Sequence, residues 1–161
     1  MNKTFSPNAD ELIKSLVEYV QLNFSNDYLR TDLGVITSEL ADIICVSTNF
    51  KLENYTFSID SHGIRHVLNQ HGTIETELTR GQLPIEKEDW LELPNIIQNA
   101  DFIDDSQKSK LGNDCILFEK LIGEKRYFSI WEIRTVTSTR KRKQSHLMLQ
   151  TFYIRRKKIV K

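Results

Sequence analysis

The sequence predicts an α+β domain, with N-terminal helices followed by an antiparallel sheet. Three observations carry that reading. Apolar residues recur at three- and four-residue spacing in the first half of the chain. From Cys115 onward the apolar period switches to that of strands. Finally, 161 residues with 39% hydrophobic and 27% charged side chains suit one globular domain with its own core.

Pro7 and Asn8 precede Asp10 and Glu11, and Leu12, Ile13, Leu16, Val17 and Val20 then recur at helical intervals, so a capped amphipathic helix should run to about Phe24. Its apolar stripe suits either a core or a partner-binding face. A shorter helix is expected from near Thr37, with Leu40, Ile43 and Ile44 on one side. Tyr55 to Ile59 alternates as a strand does. Asp60 can then cap, and Gly72 can end, a third helix whose buried side is marked by Ile64, Val67 and Leu68. Arg80-Gly81-Gln82 reads as a turn, and two short helical pieces follow around Asp89 and around Ile96, the second just after Pro94. Three strands close the pattern: Cys115 to Leu121, a turn at Gly123-Glu124, Arg126 to Val136, a basic loop, and His146 to Tyr153. They form an antiparallel meander with one face on the helices and the other open to ligand.

No apolar run approaches the ~20 residues that cross a bilayer. Met1 to Asp10 lacks the charged, apolar, small-residue order of a secretory signal, so a cytoplasmic protein without a membrane partner is expected. Cys45 and Cys115 lie in apolar stretches with no ligand-like neighbours, which suits buried free thiols better than a disulfide or a zinc site. Net charge is zero but unevenly spread. From Arg140 onward there are nine Lys or Arg and no acidic residue, leaving 13 basic against 22 acidic residues before it. The clusters Arg140-Lys141-Arg142-Lys143 and Arg155-Arg156-Lys157-Lys158 suit a polyanion such as RNA, or equally a solvated tail that maintains solubility.

Three of the four histidines, His62, His66 and His71, sit within ten positions, and imidazole is the side chain that exchanges protons near neutral pH. On a helix His62 and His66 are one turn apart on a shared face, with Arg65 and Asn69 adjoining it, whereas His71 points the opposite way from His62. That geometry rules out a three-histidine metal site on this helix, and a two-histidine site would need Glu75 or Glu77, which the spacing does not demand. His62 falls in the first turn, where the positive end of the macrodipole favours a bound anion such as phosphate. His66, one turn further in, is the better-placed proton carrier; the alternative is a core histidine bonded to backbone.

Glu132 and Arg134 project from one sheet face, as do Thr151 and Tyr153 on the last strand. If Leu121 pairs with Arg126, Glu119 joins the face of Glu132 and Arg134 while Lys120 points away. A carboxylate to orient or take a proton, a guanidinium to offset charge on a pentavalent phosphorane and a hydroxyl to position an oxygen are what phosphodiester cleavage needs. Taken singly, each pair reads equally as a cross-strand contact on a wet sheet face. Tyr127, Phe128, Trp131, Phe152 and Tyr153 offer rings for base stacking, with Phe128 and Phe152 expected in the core.

From Ser61 to Tyr153 the chain resembles a family of phage-associated nucleases related to barnase, EndoU, colicin and RelE toxins. The likeness rests on the order and spacing of SHGIRHVLNQHG, RGQLPIEKEDW, LPNIIQNADFI, a hairpin containing FEK and WEIR, and a last strand ending QTFYIRR. The resemblance implies a barnase/RelE-like scaffold with an active site between the histidine helix and the sheet, where a ribose 2′-hydroxyl attacks its own phosphate without metal. His66 and His71 match the family's helix histidines, Glu132 its strand carboxylate and Thr151 the hydroxyl of its last strand. Arg134 is added by chemistry, and His62 as the neighbour of His66.

The expected function is therefore a cytoplasmic, metal-independent endoribonuclease, a toxin-like hydrolase of phage or phage–host conflict. Its candidate substrate is RNA, tRNA included, held by Arg65, Arg140, Lys141, Arg142, Lys143, Tyr153, Arg155 and Arg156, with neither cofactor nor metal called for. The rival is a catalytically silent module on the same scaffold that binds nucleic acid or protein. Residues 51–161 form the expected nuclease domain. Residues 1–50 are expected to be a helical N-terminal extension that docks an inhibitor protein or a second copy through its helix.

Overall fold

The computed structural model describes residues 3–22, 27–71, 81–136 and 145–156. Helix α1 spans Ala9–Leu22, with Asp10 and Glu11 in its first turn and Ile13, Leu16, Val17 and Val20 buried. The apolar stripe is thus spent on the protein's own core. Strand β1 (Arg30–Val35) follows, then α2 (Ser38–Thr48), which Thr37 caps by accepting a hydrogen bond from the Leu40 N–H at 3.3 Å. Strand β2 (Thr56–Asp60) runs directly into α3 (Ser61–His71), and the Asp60 carboxylate accepts the Gly63 N–H at 2.7 Å, capping the helix as its side chain allows. Gly72, the expected terminator, lies outside the described residues. After the short β3 (Gln82–Leu83) come a 3-10 turn (Lys87–Glu92) and α4 (Leu93–Gln98) with Pro94 in its first turn. The chain then makes β4 (Phe102–Ser106), β5 (Cys115–Ile122), β6 (Lys125–Arg134) and β7 (His146–Arg156).

The expected meander of the last three strands is present, with Leu121 opposite Arg126. It forms part of a seven-stranded sheet in the order β1-β2-β7-β6-β5-β4, with β3 pairing β7 as well. All pairs are antiparallel except β2 with β7. Helices and strands interleave along the first half rather than separating. The periodic pattern missed β1 because a charged segment containing Gly34 does not alternate, and β4 because Phe102, Asp104 and Asp105 are all exposed on an edge strand. Such strands owe their place to backbone pairing, which leaves little trace in side-chain pattern.

One core draws on every part of the chain: Ile13 and Val17 of α1, Leu33 of β1, Ile44 of α2, Phe57 of β2, Ile64 and Val67 of α3, Trp90, Ile96, Trp131 of β6 and Phe152 of β7. Residues 3–50 thus contribute helix, strand and core together with the later residues. Tyr127, Trp131 and Phe152 point into this core, whereas Phe128, expected there too, lies on the opposite face beneath Tyr153, their rings stacked at 4.8 Å. Cys115 is buried and Cys45 half-buried, both as free thiols.

Two features of β7 place the functional face. Thr151 pairs with Ile130 and Leu149 with Trp131, so Gln150 is an extra, bulged residue; Leu149 and Phe152 can both reach the core, and Gln150 and Thr151 are presented side by side. In addition, β2 accompanies β7 only from His146 to Met148, and β3 rejoins it only at Ile154 and Arg155. Helix α3 packs against β7 between them: a Cβ on Gly63 would sit 2.7 Å from the Leu149 carbonyl oxygen and 3.2 Å from Asp60 Oδ1. Gly63→Ala should therefore push α3 off β7. A normal gain of about 1 kcal/mol in helix propensity should become a net loss of stability in chemical denaturation.

Candidate active site

A cleft of about 480 Å³ opens where the first turns of α3 face the bulged part of β7 and the end of β6. Asp60, His62, Gly63 and His66 line one side. Glu132, Arg134, Leu149, Gln150 and Thr151 form the sheet side, and the β4–β5 loop closes a third with Lys108, Ser109, Lys110 and Leu111. Of the residues singled out from sequence, the fold gathers His62, His66, Glu132, Arg134 and Thr151 around this one space. Both imidazoles are exposed.

His71 is absent from the lining. It is buried at the end of α3, its ring 5.7 Å from that of Tyr153 and 6.2 Å from that of His66, and its carbonyl oxygen accepts the Ile85 N–H at 2.7 Å. Arg65 also lies outside the cleft, with Nη2 donating to the Asp27 carbonyl at 3.3 Å. Tyr153 and Arg155 continue the site face along β7, the guanidinium lying 5.5 Å from the centroid of Phe128 and 5.7 Å from that of Tyr153. Arg156 is exposed at the end of the strand. Arg140, Lys141, Arg142, Lys143, Lys157 and Lys158 lie outside the described residues, as do Glu75 and Glu77. Glu119 shares the sheet face of Glu132, as its register required, but binds Arg126 at 2.8 Å at the other end of the hairpin.

The Glu132–Arg134 pair is the best-anchored part of the site. Arg134 Nε donates to Glu132 Oε1 at 2.5 Å, the Glu132 side chain is 2% exposed and that of Arg134 32%. Burial alone would raise the Glu132 pKa. Hydrogen bonds from Ser109, Arg134 and Asn113, with the Arg134 charge, outweigh it and hold the carboxyl below its usual value of 4.5. Glu132 is thus a firm holder of Arg134 and a weak proton acceptor. Because its pKa is lower folded than unfolded, its contribution to stability is complete above the unfolded value and is lost as pH falls through the folded one. The stability gap between wild type and Glu132→Gln should be constant above about pH 5 and narrow below it; a gap that widens with acid would contradict the assignment.

Sequence reasoning passed over the β4–β5 loop. Ser109 and Asn113 help lower the pKa of Glu132, the loop folds on itself through Ser109 N–H to Asn113 O and Gly112 N–H to Ser109 O, both at 2.9 Å, and Lys108 and Lys110 line the cleft. The legible signal was Lys108-Ser109-Lys110-Leu111-Gly112-Asn113, a short basic run rich in turn residues ahead of an apolar strand. Gln150 was missed because a bulge leaves no mark in an otherwise regular strand pattern. Thr151 Oγ1 is buried and has no hydrogen-bond partner among the described residues, an arrangement that a bound polar group would relieve.

Helices packed on a mostly antiparallel sheet make an α+β fold consistent with the barnase-like class of nucleases. Residues 34–161 match the family described as phage-Barnase-EndoU-ColicinE5/D-RelE like nuclease3, and the chain belongs to that family. No curated protein and no solved structure matches the chain. Among the described residues no helix is long and apolar enough to cross a membrane.

Proposed function

We propose that the protein is a metal-independent endoribonuclease that cleaves RNA, tRNA among its candidate substrates, by attack of a ribose 2′-hydroxyl on the adjacent phosphate. The observation that carries this reading is the convergence of His62, His66, Arg134 and Thr151 on one cleft. His66 takes the 2′-hydroxyl proton as the oxygen bonds to phosphorus. The bond from phosphorus to the 5′-oxygen then breaks, and His62, one turn away, returns a proton to that leaving oxygen. The products are a 2′,3′-cyclic phosphate and a 5′-hydroxyl, and no water is consumed in this step.

Arg134, fixed by Glu132, faces the phosphorane and offsets its extra negative charge, with Lys108 and Lys110 adding positive potential from the loop. The two carboxylates at the cleft are already committed to protein donors, Asp60 to Gly63 and Glu132 to Arg134, which leaves the proton transfers to the imidazoles. The Thr151 hydroxyl donates to a non-bridging phosphate oxygen. Incubation with total tRNA and ribosomal RNA in EDTA tests the proposal. Discrete fragments bearing cyclic phosphate ends are expected; cleavage only on addition of a divalent metal, or none at all, would overturn it.

A further inference from the structure

The segment just before β1 lies outside the stretch that matches the family, yet it is fastened to the helix that carries the histidines. Ser61 N–H donates to the Leu29 carbonyl at 2.8 Å, Leu29 N–H to Ser61 Oγ at 3.0 Å, and Ser61 Oγ to the Asp27 carbonyl at 2.9 Å. With the bond from Arg65, already described, two side chains of α3 hold Asp27–Leu29 against its first turn. Tyr28 is delivered by this clamp onto His62, with ring centroids 5.4 Å apart and planes 32° from parallel. Burial and the neighbouring charge of Asp60, another lining residue, raise the pKa of its hydroxyl, and the charge of Arg134 acts on it in the opposite direction. Even so, 53% of Tyr28 is exposed, a large apolar residue left uncovered beside a polar cleft.

A tyrosine whose ring packs on a cleft imidazole, whose backbone is clamped to α3 and whose remaining surface is open presents an ordered aromatic surface beside the cleft. Fixing the ring in advance lowers the entropy lost when a flat ligand settles on it. From this geometry, and resting on the nuclease reading above, we propose that Tyr28 stacks on a base beside the scissile phosphate, making single-stranded, unpaired nucleotides the substrate class. A base within a duplex has both faces covered and cannot take this place. The N-terminal segment is then part of the substrate site.

A short single-stranded 2′-O-methyl oligonucleotide, which 2′ attack cannot cut, tests this against a fully abasic chain of the same phosphates. Tyr28→Ala should weaken binding of the base-bearing chain by roughly 5- to 100-fold, the usual worth of one stacked base, and leave the affinity for the abasic chain unchanged. Tyr28→Phe and Tyr28→Trp should restore most of the binding. Equal weakening of both chains, or of neither, would overturn the proposal, as would failure of the wild type to prefer the base-bearing chain. Cleavage of ordinary RNA is scored separately: base-selective loss at Tyr28 without any cleavage sinks the nuclease reading alone, and cleavage without base-selective loss sinks only this one.

Discussion

His66→Ala is expected to lower kcat/KM for RNA by a factor of ~10²–10⁴, the usual worth of a positioned proton carrier, while the protein stays folded. The asymmetry follows from where the side chain stands. His66 is exposed on the cleft face of α3, whose packing against the core is made by Ile64 and Val67, and alanine is the better helix former. Thermal unfolding should therefore shift little. Activity within about tenfold of wild type would remove His66 from the proton transfers. Arg134→Ala should be equally inactive for a different reason and less stable as well, since it strips the guanidinium from Glu132, whose side chain is 2% exposed.

The second large effect is on stability and lies on the other side of the sheet. Asp89 is 3% exposed and carries three bonds: Oδ1 accepts the Tyr127 hydroxyl at 2.6 Å and Lys125 Nζ at 3.1 Å, and Oδ2 accepts the Glu86 N–H at 2.8 Å. This carboxylate ties the 3-10 turn to the start of β6 and closes that turn's capping box. The Tyr127 hydroxyl is itself buried, and its pKa is driven far above the ordinary phenol value, first by burial and then by Asp89. Asp89→Ala leaves the phenol, the ammonium and a backbone donor without their acceptor. The expected cost is about 3–5 kcal/mol, or a fall in Tm of roughly 10 °C for a chain of this size. Measured at a temperature where the variant is folded, cleavage per molecule should match wild type, because Asp89 touches nothing in the cleft. A small shift in Tm would mean that water replaces the carboxylate at no cost.

These two residues also mark how far the sequence could be read. His66 was legible because histidine is rare and three of them crowd one helix. The shared face of His62 and His66 followed from helical periodicity alone, whereas His71, which the resemblance had grouped with the catalytic residues, lies outside the cleft lining. The hairpin register was equally legible, because a tight turn at Gly123 leaves few ways to pair its arms. Asp89 was visible only as part of a short helical piece. Its three partners come from Tyr127 and Lys125, far along the chain, and from Glu86, whose backbone has no sequence code. The loop at Ser109, the bulge at Gln150 and the clamp on Tyr28 escaped for the same reason: each is defined by what the tertiary fold brings to it. Edge strands β1 and β4 were lost because exposed strands need no apolar alternation.

The central place of β7 has a bearing on how such a protein is made. Residues emerge from the ribosome in order, so β1, β2 and α3 are complete, with both cleft histidines, long before Glu132 and Arg134 are added. The arms remain two separate halves until His146–Arg156 arrives to pair β2 on one side and β6 on the other. Domains complete their cores as units, and distant pairings form late. A nascent or truncated chain lacking β7 has imidazoles but no assembled cleft, so on the nuclease reading no cutting is expected until synthesis has passed β7.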